Sequence, residues 1–303
     1  MISFIVVNYN TKNLLKNLLN SIKKFFEGEE VIVVDNASSD GSADMVSQAF
    51  PYIRLIANKD NIGFARANNQ AMEIAKGDVF VLINSDAELI DDSLEQAVSL
   101  VSDNKEYGLV GCKLLNSNGS TQVSVARFPG IMQAFLSNTG LGLLLPSSLR
   151  GRMLARRYFD YTRQSDVDWV MGACMILRRD VYLKVGGMNT HYFMFGEDME
   201  WCYRIKKAGY RIIYTPSAIV VHHFNKSSAS NVEKRYELMY KNYYLFCNTY
   251  LGRTRSNIIR LLNIQGLLLR YAVYKLGLIK TNDPFLSYWF SNFKQALKAQ
   301  FRS

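Results

Sequence analysis

Cysteine is scarce in this chain of 303 residues: Cys112, Cys174, Cys202 and Cys247 are the only four, and no two stand in CxxC spacing. Each lies in an apolar or helical context, so the expectation is a reduced, cytosolic chain without a structural zinc site. No basic segment leads into a signal-type apolar stretch ahead of Ile2 to Val7, and secretion is not expected. Charge is missing altogether from Phe128 to Leu149, yet Pro129, Gly130, Gly140, Gly142 and Pro146 interrupt that stretch. It is too polar and too broken for a membrane span, which leaves a packed crossover loop or an apolar flap near an acceptor. Phosphate-binding glycine loops are also wanting. No GxGxxG follows the first apolar run and no GxxxxGK[ST] occurs, which removes the main support for a dinucleotide-binding enzyme and argues against a P-loop protein. The glycine-rich basic loop that a sugar nucleotidyltransferase needs near its N-terminus is missing too.

Acidic residues are what the C-terminal stretch lacks. Residues 225–303 hold 13 of the 36 Lys and Arg but 3 of the 26 Asp and Glu, whereas the first 224 residues carry 23 of each. The whole net charge of +10 therefore belongs to the tail. Such segregation points to a separate surface with an anionic partner, either membrane headgroups or nucleic acid.

What is present in the first half is alternation. Apolar runs at Ile2 to Val7, Val31 to Val34, Ile53 to Ala57 and Val79 to Ile83 read as strands. Between and after them lie helical patterns: one carrying Leu14, Leu15, Leu18, Leu19 and Ile22, one from Ala65 to Lys76 closed by Gly77, and one from Asp92 to Ser102. Continuous apolar strands each followed by a helix predict an α/β fold with a mostly parallel sheet covered on both faces. Later elements are expected as strands at Val167 to Leu177, Arg211 to Tyr214 and Ile219 to Val221, with a helix at Glu197 to Ala208. Beyond Ser230 the pattern is helical, over 233–250, 258–278 and 285–301. The predicted division is a domain over 1–230 and a basic helical extension over 231–303. Arg260, Arg270 and Lys275 make a spanning helix there improbable, and a helix lying in the interface plane or packing on another surface fits better.

In open parallel sheets ligands bind at the carboxyl ends of strands. Three polar clusters stand there: Asn8-Tyr9-Asn10, Asp35-Asn36 and Asn84-Ser85-Asp86. Asp35 has two readings, an acceptor for the N3–H of uracil or thymine and an organiser of its own turn with Ser38 or Asp40. Asn84 and Asp86 share one face if the strand persists through them. Asp86 supplies one carboxylate to a hard cation such as Mg²⁺, which takes one or two carboxylates plus substrate phosphates. Asn84 and Ser85 stand ready for the sugar or phosphate. Glu197, Asp198 and Glu200 put three carboxylates into four residues at a helix start, more than a helix dipole requires. Their repulsion raises at least one pKa or calls for a cation, and Asp198 is the favoured general base. Of His222 and His223, one is expected to face the site.

These residues resemble family 2 glycosyltransferases of the inverting GT-A fold, in particular a rhamnosyltransferase-like branch. The resemblance rests on Ile5 to Asn10, Val34 to Ser42, Asn61 to Asn69, Asn84-Ser85-Asp86, Trp169 to Cys174, Phe195 to Asp198 and Val221-His222-His223, in family order over roughly residues 1–230. It implies a Rossmann-like nucleotide-sugar-binding domain. Asn8, Asp35, Asn61 and Arg66 would lie along or near the donor nucleotide, and Gly172 and Ala173 would border the donor sugar and acceptor. Asp86 and His222 would hold Mg²⁺ or Mn²⁺, with Asn84 in place of the first acid of the family's metal motif. Asp198, with Glu197 beside it in the acidic pair, would be the catalytic base. The late histidine opens an HxxGxS-like pattern in which Asn225 takes the glycine position and Ser227 the serine.

The implied reaction is inverting transfer from a nucleotide-diphosphate sugar, dTDP-rhamnose first and UDP-hexose next. The acceptor would be a glycan or polyprenyl-linked one in bacterial cell-surface polysaccharide synthesis. The expected setting is the cytoplasmic face of the cell membrane, with peripheral contact or homodimerisation through the C-terminal helices and no nucleic acid partner. The competing reading is a membrane-docked nucleotide-sugar-binding scaffold that has lost activity; Asp35, Asp86, Asp198 and His222 speak against it.

Overall fold

The computed structural model describes residues 1–223, 232–276 and 293–302. In chain order, β1 (Ile2–Asn8), α1 (Lys12–Phe25), β2 (Glu30–Asp35), α2 (Ser42–Ala49), β3 (Arg54–Ala57), α3 (Phe64–Ile74) and β4 (Val79–Asn84) form the alternating first half. Then come β5 (Ala87–Leu89), α4 (Leu94–Asp103), β6 (Tyr107–Leu115), β7 (Val125–Ala126), α5 (Ile131–Thr139) and α6 (Ser147–Leu154). They are followed by β8 (Ser165–Val167), β9 (Trp169–Val170), β10 (Cys174–Arg178), α7 (Arg179–Val185), α8 (Glu197–Lys207) and β11 (Arg211–His222). Last are α9 (Val232–Leu251), α10 (Arg253–Lys275) and α11 (Phe293–Arg302).

The chain divides into two compact units. One comprises Met1–Ala126 and Asp160–Ser227, the other Arg127–Phe159 and Ser228–Ser303. The segment from 127 to 159 thus groups with the C-terminal helices, which a linear split at residue 230 does not capture.

The first unit is built on a sheet ordered β3-β2-β1-β4-β10-β6-β11-β5, with β8 on β11. Strands β3, β2, β1 and β4 pair in parallel, Val6 lying between Val33 and Ile83. Strand β10 runs antiparallel between β4 and β6, Ile176 facing Val81 on one side and Val110 on the other. Strands β6 and β11 are again parallel to each other. The helical periodicity of α1 buries Leu15, Leu18, Leu19 and Ile22 in the same core as Phe4, Val6, Val33 and Val81. Its last turn carries Lys23 and Lys24, where the helix dipole favours cations. All four cysteines are buried and unbridged.

Several boundaries differ from expectation for local reasons. Helix α3 ends at Ile74, not Lys76, and Gly77 is not its left-handed cap. A Cβ on Gly77 would lie 2.6 Å from the backbone N of Ser3, whose Oγ accepts the Gly77 N–H at 2.8 Å, so close approach explains the glycine. The run Val167 to Leu177 is not one strand: it breaks between β9 and β10 at Met171–Ala173, where the backbone turns toward α8. Arg211 to Val221 is instead a single strand, kinked by a register shift between Thr215 and Ile219. The charge-free stretch 128–149 is not plain loop, since it contains α5 and a 3₁₀ turn at Leu141–Leu144.

The second unit is all helical. Ala134 of α5 packs with Tyr244, Cys247 and Ile259 of α9 and α10, and Leu267 with Phe293 and Ala296 of α10 and α11. A buried polar chain threads it: Asn138 donates to Asn263 at 2.8 Å, Asn263 to the Tyr244 hydroxyl at 3.1 Å, and that hydroxyl to Gln300 at 2.5 Å. Such groups are tolerated in a core because each finds a partner. No described helix is long and apolar enough to cross a membrane.

Candidate active site

The carboxyl ends of β1, β2 and β4 lie side by side, Asn8 opposite Asp35 and Val7 opposite Asn84. Their polar residues form one hydrogen-bonded string. The Asn8 amide donates to Asp35 Oδ1 at 2.7 Å and to Ser38 Oγ at 3.0 Å. Its oxygen accepts the Thr11 hydroxyl at 2.6 Å, and that hydroxyl meets Ser85 Oγ at 2.8 Å. Asp35 Oδ2 accepts the backbone N–H of Ser38 at 2.9 Å, so the turn-organising role weighed for Asp35 is present. Each carboxylate oxygen still has a further lone pair for a ligand. Asn8, Asp35, Ser85 and Asp86 are all buried.

Strand β4 does not persist through the triplet. It ends at Asn84, and Ser85 and Asp86 turn into β5. The turn nevertheless brings Asn84 and Asp86 to one imidazole, because β5 pairs antiparallel with the end of β11, Ala87 opposite His222. His222 Nε2 lies 3.2 Å from Asp86 Oδ1 and 3.4 Å from the Asn84 amide nitrogen. On its other side His222 Nδ1 lies 2.7 Å from Gln122 Oε1.

That last contact fixes the imidazole's tautomer through a relay. The Ser120 hydroxyl donates to Asn118 Oδ1 at 2.6 Å, leaving its oxygen to accept from the Asn116 amide at 2.9 Å. Asn116 Oδ1 then accepts the Gln122 amide N–H at 2.9 Å, which turns Gln122 Oε1 toward His222. An amide oxygen only accepts, so Nδ1 carries the proton and donates it. In the neutral ring the Nε2 lone pair then faces the Asp86 carboxylate at 3.2 Å, a contact that a shared cation, whether a metal ion or a proton on Nε2, would favour. Asn84 Oδ1 is buried and finds no hydrogen-bond partner among the described residues. One carboxylate and one imidazole suit a divalent ion that takes its remaining ligands from a diphosphate and water. No group of three His, Cys, Asp or Glu side chains stands close enough to hold a metal unaided among the described residues. His223 points away, its ring contacting Glu88 at 3.3 Å and Ser117 at 2.8 Å, as alternation along a strand requires.

The acidic helix start closes the other flank. Phe195 and Gly196 both take positive φ, 69° and 92°, and this sharp entry aims Glu197 and Asp198 inward. Asp198 Oδ2 accepts the Gly172 N–H at 3.0 Å and Oδ1 accepts the Met199 N–H at 2.7 Å. The neighbouring Ala173 carbonyl accepts the Asn84 N–H at 3.0 Å. Gly172–Ala173 therefore links the base candidate to the Asn84–Asp86 turn. Burial raises the Asp198 pKa while the backbone donors oppose the rise. Burial and the Asp198 charge lift Glu197 much further, and its Oε2 has no hydrogen-bond partner among the described residues. Of the pair, Glu197 keeps the proton and Asp198 is the better held anion. Glu200, the third carboxylate, is structural: it takes Arg204 Nε at 2.9 and 3.0 Å, and Arg204 also donates to the carbonyls of Val185 and Gly187.

The structure thus gathers Asn8, Asp35, Ser85, Asn84, Asp86, His222, Gly172, Ala173, Glu197 and Asp198 along the strand ends. Asn61 is bound into its own loop, Oδ1 accepting the Gly63 N–H at 3.0 Å, and the Asn36 amide donates to the Gly63 carbonyl at 3.3 Å. Arg66 is exposed on α3 and joins none of these bonds. Asn225 and Ser227 lie outside the described residues. Sequence reasoning missed Thr11 and Gln122, and took Ser38 only as a turn partner of Asp35. Thr11 is a hydroxyl one residue past the Ile5 to Asn10 motif; Gln122 had no local signal, being brought in by tertiary contact alone.

Polar residues at the carboxyl ends of β1, β2 and β4, a His–Asp pair and a buried acidic helix start thus stand together on one α/β sheet, an arrangement suited to group transfer. The model for Glycosyl transferase family 2 matches residues 3–186, and that for the N-terminal domain of galactosyltransferase matches residues 152–227. The chain belongs to glycosyl transferase family 2 and is a glycosyltransferase. It is 26% identical over 254 residues to an N-acetylglucosaminyl-diphospho-decaprenol L-rhamnosyltransferase of Mycobacterium tuberculosis, covering 80% of this chain and 82% of the relative. It is 25% identical to the rhamnosyltransferase WbbL of Escherichia coli K12, over 84% of this chain and 94% of the relative. Its fold matches that of the mannosyltransferase PcManGT from Pyrobaculum calidifontis, solved with GDP-Man and Mn²⁺, at a TM-score of 0.63 and 17% identity over 99% of this chain and 86% of that one.

Proposed function

We propose that this glycosyltransferase moves a sugar, L-rhamnose from its dTDP carrier in the first place and a hexose from UDP in the second, onto a polyprenyl-linked or glycan acceptor during cell-surface polysaccharide synthesis. The rhamnosyltransferase relatives support the donor, and the diphospho-decaprenol named for one of them supports the lipid-linked acceptor. The observation that carries the catalytic reading is the continuous bonding from Asp35 through Asn8, Thr11 and Ser85, with Asn84 joined through Ala173 and Gly172 to Asp198.

Asp35, Asn8, Asn61 and Arg66 orient the nucleotide, and Gly172 and Ala173 border the sugar. Asp86 and His222 would hold the divalent ion, with Asn84 and Ser85 toward the sugar and phosphates. When bound, that ion supplies Lewis-acid stabilisation of charge on the leaving diphosphate. Asp198 takes the proton of the acceptor hydroxyl, whose oxygen attacks the anomeric carbon in line as the bond to the diphosphate breaks, so the configuration inverts. Glu197, protonated beneath it, leaves the negative charge on Asp198. The basic C-terminal extension, 231–303, would keep the chain at the cytoplasmic membrane face near such an acceptor; pairing of two copies through these helices is the alternative use.

General-base assistance is worth about 10²–10⁴-fold. Asp198→Asn is therefore expected to lower release of the nucleoside diphosphate in the presence of acceptor by that factor, with donor binding nearly unchanged. Near wild-type turnover would refute Asp198 as the base.

A further inference from the structure

We infer that the 3₁₀ turn between α5 and α6 and the arginines after it form a docking surface for an anionic phospholipid bilayer. The contact is thereby extended to an internal segment, beside the C-terminal helices proposed above. Residues 127–159 contain five arginines, at 127, 150, 152, 156 and 157, and no Asp or Glu. At the turn Leu141, Leu143 and Leu144 are 43%, 56% and 80% exposed. Three leucines presented together in water at a turn are unusual where nothing covers them.

The backbone of this turn is prepared for an apolar medium, where unpaired peptide groups are costly. The Leu143 N–H donates to the Gly140 carbonyl at 2.9 Å and the Leu145 N–H to the Gly142 carbonyl at 3.3 Å. Arg150 Nη2 donates to the carbonyls of Leu143 at 2.5 Å and Leu145 at 2.9 Å. One arginine thus satisfies two of the turn's carbonyls and holds a positive charge against its backbone. Arg152, Arg156 and Arg157 are exposed on the following helix and turn, cations available to headgroup phosphates when the leucines enter the acyl boundary.

Charge decides among occupants. A two-fold contact between copies through this turn would set two acid-free arginine clusters against each other. Nucleic acid would answer the arginines but not the leucines. A bilayer carrying anionic lipid answers both.

The inference rests, for its purpose, on the lipid-borne acceptor proposed above, so its test is run without nucleotide. The full chain is sedimented with vesicles of phosphatidylcholine alone or mixed equally with phosphatidylglycerol. Wild type is expected to pellet with the mixed vesicles and to be released by salt. Replacing Arg152, Arg156 and Arg157 by Gln is expected to weaken partition roughly a hundredfold. Replacing Leu141, Leu143 and Leu144 by Ser is expected to weaken it about tenfold or more. Undiminished binding by either triple variant overturns the inference, as does a concentration-dependent dimer of wild type that the leucine variant abolishes. Should the leucine variant fail to fold, Leu144→Trp replaces it: a blue shift of its emission on adding mixed vesicles is expected, and an unshifted spectrum overturns the proposal. Nucleotide-induced thermal shifts of the same variants report separately on the transferase reading.

Discussion

The two compact units solve opposite problems with opposite charge. Residues 127–159 and 228–303 hold 17 Lys and Arg against 3 Asp and Glu, a net +14, which leaves 19 against 23, a net −4, for the sheet-bearing unit. The sheet unit draws its polar groups inward, to strand ends where Asn8, Asp35, Asp86 and His222 are buried and hydrogen-bonded. The helical unit turns leucines and arginines outward. Chemistry that must exclude water needs the first arrangement, and adhesion to a charged apolar boundary needs the second. The overall +10 of the chain conceals this division, because the acids of the catalytic unit offset part of the bases of the other.

The comparison is broken most strongly through the core beneath the acidic helix. Trp201 is fully buried and donates its indole N–H to the Gly186 carbonyl at 2.9 Å. Trp201→Ala is expected to cost about 3–5 kcal/mol in urea unfolding. Leu144→Ser in the other unit should stay within about 0.5 kcal/mol of wild type, because its side chain is already in water. Comparable losses from both would erase the distinction drawn between an inward and an outward unit.

A smaller effect sharpens the account of the site itself. Gln122→Leu leaves the His222 Nδ1–H without its acceptor and frees the ring to turn or change tautomer. Outer-shell partners of this kind are worth about 10–100-fold in metal affinity. Mn²⁺ binding followed by electron paramagnetic resonance should weaken by that factor, with the fold retained by circular dichroism. Unaltered affinity would show that the relay from Asn118 to His222 is scaffolding alone.

The smallest expected effect is a pH dependence. Glu197 has a folded pKa raised above its unfolded value of about 4.3, so the native state binds this proton more tightly than the unfolded chain. The stability it contributes is full below that unfolded value and is lost as pH rises through the folded one. Asp198, also raised, acts in the same direction and sets the acid limb of turnover above the ordinary aspartate range of about 3.9. Glu197→Gln should flatten the decline of melting temperature with rising pH; an unchanged slope would mean that Glu197 is not the proton holder of the pair.

Most of the sheet was legible in sequence because continuous β-branched runs such as Val31 to Val34 have few other homes. Motif order also singled out Asp86, Asp198 and His222, and the structure brings all three to the strand ends. Less legible were elements defined by pairing. Strand β5 is three residues long and exists because His222 and its neighbours offer an edge to Ala87–Leu89. Gln122 reaches the site from 100 residues away in sequence, so no spacing rule selects it. The grouping of 127–159 with the last helices was equally hidden, since contacts such as Ala134 with Tyr244 leave no mark on local periodicity. Asp35 shows a further limit: residue type predicted both of its uses, and geometry displays the turn while leaving lone pairs for the other.

The central claim is that the bonded strand ends form a donor site completed by a divalent ion on Asp86 and His222. It is tested most directly by thermal shift of the full chain with dTDP, UDP, GDP and their sugars, with and without Mn²⁺. A ligand that binds only the native state raises the melting temperature by mass action. The account predicts a shift with dTDP species, a lesser one with UDP species, none with GDP, and loss of most of it without Mn²⁺ or in Asp86→Ala. No shift with any nucleotide, or one indifferent to both metal and Asp86, would contradict it.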